Sequence, residues 1–143
     1  MRPKKTVLVL DGNADMLSLR KFLLETRGYR VLAASTPQEA VGLLRHWPAG
    51  TIAAMVAHLD FRPAFAYRWL RLLARSFPEL RVVLQVGAAG DGDAPAELQA
   101  VVRRVIPYRN APTSELLDAV RDAVARPRGP SKTVAAAPSQ AVA

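Results

Sequence analysis

The sequence contains no cysteine. That excludes a disulfide framework and any thiolate metal site, and it agrees with a reducing compartment, so a cytoplasmic placement is expected. Only two histidines, His46 and His58, are present, too few for a histidine-rich metal centre. Aromatic residues make up 6% of the chain, and Trp47 and Trp69 are read as core and rim. No apolar run approaches the roughly 18 residues of a membrane span. The basic start MRPKK leads only into TVLVL before Asp11, so neither a span nor a signal peptide is expected. The run GAAGDGD lacks the Gly-Lys-Ser/Thr ending of a phosphate loop.

What is present is a chain of 143 residues, half of them hydrophobic, long enough for one domain with a sizeable core. The formal net charge is +8. Residues 126 to 143 hold Arg126, Arg128 and Lys132 with no acid, and the other 17 basic and 12 acidic residues leave +5 on the rest. Such a balance favours acidic partners.

Apolar runs and helical periods alternate along the chain. TVLVL (6 to 10) is a strand covered on both faces. The next segment places Met16, Leu19, Phe22 and Leu23 on one helical face and stops at Gly28. YRVLAAS gives a second strand. Thr36, Pro37 and Glu39 then form a capping box with proline at the first helical position. IAAMVA is the third strand, and a helix over 65 to 76 is expected to bury Trp69, Leu70, Leu72 and Leu73. RVVLQV is the fourth strand, and PAELQAVV a fourth helix with Asp93 as its cap. RVIP and TSELLDAVRDAVA supply the fifth strand and fifth helix. This order predicts an α/β fold, a doubly wound five-stranded parallel sheet flanked by five helices, over residues 1 to 125. Residues 126 to 143, rich in Pro and Ala, read as a flexible basic tail.

In such a sheet the ligand-facing residues follow the carboxyl ends of the strands: Asp11 with Gly12, His58, Val86 with Gly87, and Arg109. Here the chain resembles the receiver domain of bacterial two-component response regulators, a flavodoxin-like fold, over roughly residues 4 to 125. TVLVLDGNADMLSLRKFLLETRGYRVLAAST resembles that family's opening, and PELRVVLQVGA and SELLDAV its fourth strand and last helix. The resemblance implies a phosphoacceptor Asp at the tip of the third strand and two acids after the first strand that hold Mg²⁺. It also implies a Ser or Thr after the fourth strand and a Lys after the fifth. This chain departs from the pattern. Asp11 matches the first acid, but Gly12 stands at the second, His58 at the acceptor, Val86 at the hydroxyl and Arg109 at the Lys, followed by Asn110.

Mg²⁺ wants several oxygen ligands, so a pocket with Asp11 as its one expected carboxylate predicts weak or absent Mg²⁺ binding and no other cofactor. Without a carboxylate at position 58 there is no nucleophile for an aspartyl phosphate. The chain is thus expected to be a degenerate receiver without enzymatic activity, with His58 hydrogen-bonded to a neighbouring backbone group and Asp11 paired with Arg109. It would act through a protein partner in trans, an acidic one by charge, or through self-association as a homodimer. Two basic faces are candidates for this contact: Arg103, Arg104 and Arg121 around the fifth strand and last helix, and Arg68, Arg71 and Arg75 on the third helix. One alternative is a phosphorylatable receiver that uses Asp60. The other is a basic nucleic-acid-binding protein, against which stands the lack of any helix-turn-helix, zinc-finger or RNA-binding signature.

Overall fold

The computed structural model describes residues 4–59, 63–87, 94–109 and 112–125. In chain order the elements are β1 (Thr6–Leu10), α1 (Ala14–Thr26), β2 (Arg30–Ala34), α2 (Pro37–His46), β3 (Ile52–His58), α3 (Pro63–Ser76), β4 (Val82–Val86), β5 (Val102–Pro107) and α4 (Thr113–Val124). The five strands form one parallel sheet in the order β2-β1-β3-β4-β5. That is the architecture the alternating pattern predicts.

Side chains alternate across a strand, so each continuous apolar run feeds both layers. Leu8, Leu10, Met55, Ala57, Val82 and Leu84 join Ala40 and Leu44 of α2 and Ala66, Leu70 and Leu73 of α3. Val7, Val9, Ala54, Val56, Val83 and Ile106 join Leu24 of α1 and Leu116, Ala119, Val120 and Ala123 of α4. The sheet therefore has α1 and α4 on one face and α2 and α3 on the other.

Local chemistry sets the helix ends. Thr36 Oγ1 accepts from the Glu39 amide at 3.1 Å, and Glu39 reaches back to the Ser35 amide at 2.7 Å and hydroxyl at 2.9 Å. The capping box is present, with its return bond one residue earlier than the standard pattern. These bonds to Ser35 hold the Glu39 carboxyl below its ordinary range. At the end of α1, Gly28 takes φ 89°, a left-handed conformation that glycine adopts without strain.

Four expectations need correction. Among the described residues there are four α-helices rather than five. The segment expected as a fourth helix holds only a short 3₁₀ turn, Ala96–Leu98, because the carbonyl of Val101 accepts from the Val82 amide at 2.7 Å and draws the β-branched pair Val101–Val102 into the sheet. For the same reason β5 begins at Val102, not Arg104. Asp93, the expected cap, lies outside the described residues. On α1, Leu19 and Phe22 are exposed, and the buried residues are Arg20 and Leu24. On α3, Leu72 is exposed while Leu70 and Leu73 are buried. The helical period is right in both cases, but the face is set by what the sheet presents, which periodicity alone does not carry.

Candidate functional site

At the carboxyl ends of the strands, the two-residue period decides which side chains meet. Asp11 continues the series Val7, Val9; His58 continues Ala54, Val56; Gln85 follows Val83; and Tyr108 follows Ile106. All four therefore lie on the face covered by α1 and α4. From α1, Arg20 reaches into the same place.

The result is a closed polar cluster. Asp11, 1% exposed, accepts through Oδ1 from the Asn13 amide at 2.8 Å and from the Tyr108 hydroxyl at 3.1 Å. Its Oδ2 is buried and meets no hydrogen-bond donor among the described residues. Arg20, 5% exposed, donates from Nε to Gln85 Oε1 at 2.7 Å and from Nη2 to the Tyr108 carbonyl at 3.3 Å. Its guanidinium carbon is 5.0 Å from the Tyr108 ring centre, a cation–π distance. The His58 ring is stacked on Tyr108 with centroids 3.4 Å apart and planes 9° from parallel. His58 Nδ1 lies 3.1 Å from the Gln85 carbonyl oxygen. A carbonyl only accepts, so Nδ1 is the nitrogen that carries the proton in this contact.

Burial and charge act against each other here. Burial pulls the Arg20 pKa down, and the Asp11 carboxylate and Tyr108 oppose that pull. The Tyr108 phenol is pushed up to about 12, first by burial and then by its hydrogen bond to Asp11 and that residue's charge, with Arg20 and Arg109 working the other way. Both effects keep the phenol neutral, as a donor to Asp11.

Each residue singled out in the sequence has a definite place. His58 ends β3. Gly12 is exposed, and a Cβ there would meet only the Ser35 carbonyl oxygen at 3.6 Å, an ordinary contact. Val86 ends β4 and packs into the other layer, away from Asp11, and Gly87 beside it is exposed. Arg109 does not pair with Asp11. It falls on the opposite parity to Tyr108, is exposed, and sits 5.8 Å from the Tyr108 ring centre. Asp60 and Asn110 lie outside the described residues. On the two basic faces, Arg104 lies 3.6 Å from Asp122, and Arg121 lies 3.3 Å from Asp118 and 3.9 Å from Asp122. Arg71 is bound to Glu97 at 2.7 and 2.8 Å, which draws the Glu97 carboxyl below its ordinary range. Arg103, Arg68 and Arg75 are exposed.

Three members of the cluster escaped the sequence reading: Arg20, Gln85 and Tyr108. A usable signal existed for two of them. Gln85 interrupts an otherwise apolar strand and Arg20 interrupts an apolar helix face, and buried polar groups require partners.

Among the described residues the strand ends offer few oxygen ligands of the kind Mg²⁺ takes. Asp11 offers one unengaged carboxylate oxygen, positions 12 and 58 supply no carboxylate, and Arg20 already provides positive charge beside Asp11. Among the described residues no group of three His, Cys, Asp or Glu side chains could hold a metal ion.

No family model and no curated protein matches the sequence. Solved structures do match in fold. A response regulator receiver domain protein from Clostridium thermocellum is 21% identical, with a TM-score of 0.70, over 83% of this chain and 93% of that one. A response regulator from Thermotoga maritima is 21% identical, with a TM-score of 0.67, over 87% and 100%. A response regulator receiver protein from Sinorhizobium medicae is 22% identical, with a TM-score of 0.62, over 85% and 94%. The chain has the receiver fold.

Proposed function

We propose that this protein is a signalling module of receiver fold that acts through protein contacts and without a phosphoryl switch. One observation carries the reading: His58 ends β3, stacked on Tyr108, and the Tyr108 hydroxyl occupies Asp11. An imidazole at that strand end cannot form an acyl phosphate. One of the two Asp11 oxygens is taken by a phenol. Val86 has no hydroxyl and packs into the opposite layer. The chemistry of a switch is thus replaced by a cluster that ties β1, β3, β4, β5 and α1 together. Such a domain keeps one conformation and presents fixed surfaces, as a binding module does and an enzyme need not. No helix among the described residues is long and apolar enough to cross a membrane.

Intact-mass measurement after incubation with acetyl phosphate and Mg²⁺ tests the reading. The expected mass is unchanged. A stable adduct mapped to Asp60 would overturn it in favour of a phosphorylatable receiver.

A further inference from the structure

The outer ridge of α3 is built like one half of a helix–helix contact. Phe65 and Leu72, 51% and 56% exposed, stand seven residues apart, with exposed Arg68 and Arg75 three residues beyond each. Positions 65, 68, 72 and 75 follow the 3-4-3 spacing of a seam between paired helices. The opposite face is already used, since Ala66, Leu70 and Leu73 are buried in the core. Single exposed apolar residues are ordinary, but this pair is aligned along one helix and flanked by cations. α3 contains no Asp or Glu. Its third cation, Arg71, is spent on Glu97, whereas Arg68 and Arg75 have no ion pair among the described residues.

We infer that this ridge docks an amphipathic helical segment of a partner protein in which two apolar side chains, seven residues apart, are flanked by carboxylates. The inference rests on the reading of the chain as a protein-contact module. Charge selects this occupant over the others. The chain's own residues 126 to 143 carry Arg126, Arg128 and Lys132 and no acid, so they are repelled. A second copy meeting the ridge symmetrically would set Arg68 and Arg75 against themselves. Nucleic acid would satisfy the arginines but leave Phe65 and Leu72 without a match.

Fluorescence anisotropy with the full chain tests this. The probes are a labelled helical peptide with leucines seven residues apart flanked by glutamates, the same peptide with lysines for glutamates, and duplex DNA. The glutamate peptide is expected to bind about tenfold or more tighter than the lysine peptide. R68E/R75E should invert that preference, and F65S/L72S should weaken the glutamate peptide by about tenfold. Neither variant should lower the melting temperature appreciably, because all four side chains are exposed. Equal binding of the two peptides, or binding that survives both variants, would overturn the inference. So would DNA binding abolished by R68E/R75E alone, or a dimer lost in F65S/L72S. The phosphodonor experiment is independent: a mass adduct with intact peptide selectivity removes the switch-free reading and keeps the ridge, and no adduct with no selectivity does the reverse.

Discussion

The imidazole of His58 lies flat on the ring of Tyr108, 3.4 Å between centroids, although β3 and β5 are not neighbours in the sheet. β4 runs between them and serves as the floor of the stack: the Gln85 carbonyl meets His58 Nδ1 and the Val86 carbonyl accepts from the Tyr108 amide at 2.7 Å. The two rings thus clamp three strands. A double-mutant cycle with His58→Leu and Tyr108→Leu, measured by urea unfolding, should give a coupling of about 0.5–1.5 kcal/mol. Additive losses would show that the stack contributes nothing beyond burial.

The Tyr108 hydroxyl should be visible in alkaline stability. Its folded pKa, about 12, lies above the ordinary 10.0, so the folded state favours the neutral phenol. That contribution is complete below the unfolded value and is lost as pH rises from about 10 to about 12, on the order of 2–3 kcal/mol in all. Tyr108→Phe should destabilise the domain by about 1–3 kcal/mol at pH 8, by taking a donor from buried Asp11. It should also flatten the decline between pH 10 and 12, leaving the smaller part due to Tyr29, whose phenol is likewise raised by burial. Parallel pH slopes for parent and variant would refute the assignment.

How much of this was legible beforehand follows from which physical rule governed each part. The five strands, the Thr36 cap and the stop at Gly28 come from local patterns, and the sequence carries them. His58 and Asp11 were placed by counting to the strand ends. Opposite charge points to Arg109 as the partner of Asp11. The backbone parity instead turns Tyr108 toward Asp11 and leaves Arg109 outside. Arg20 was missed because a charged residue on an apolar helix is usually exposed. Its burial depends on Gln85, 65 residues away, a pairing that no local window contains.

That pairing makes a testable energetic claim. Arg20→Met leaves the Gln85 amide oxygen and the Tyr108 carbonyl without their donors and removes the cation near Asp11, so a loss of about 3–5 kcal/mol is expected. Gln85→Leu alone strands Arg20 Nε. The double variant R20M/Q85L should be less destabilised than the sum of the singles by about 0.5–3 kcal/mol. Denaturant titration of the four proteins measures this, and strict additivity would argue against a shared buried hydrogen bond.

The metal pocket should be recoverable in steps. Gly12→Asp meets no clash, given the 3.6 Å contact to the Ser35 carbonyl, and His58→Asp replaces an imidazole at the strand end. G12D/H58D should gain Mg²⁺-dependent thermal stabilisation that the parent lacks. Adding Tyr108→Phe should increase it further, because the Asp11 oxygen now held by the phenol is released. Without metal the clustered carboxylates repel, so both variants should melt below the parent. If the triple variant folds yet ignores Mg²⁺, the end of β3 does not face Asp11 as described.

The burial of Arg20 also bears on the order in which the chain assembles. Its partners are 65 and 88 residues along the chain, and the bond that seals Asp11 spans 97. Loop closure over such distances comes late, after local helices and neighbouring strands have formed. Until β4 and β5 dock, the Arg20 guanidinium of α1 has none of these partners. Stabilisation that arises after the rate-limiting step slows escape from the native state more than it speeds arrival. The cluster at the strand ends is therefore a kinetic latch: R20M should raise the unfolding rate by roughly two to four orders of magnitude, the whole of its stability loss, while leaving the folding rate nearly unchanged.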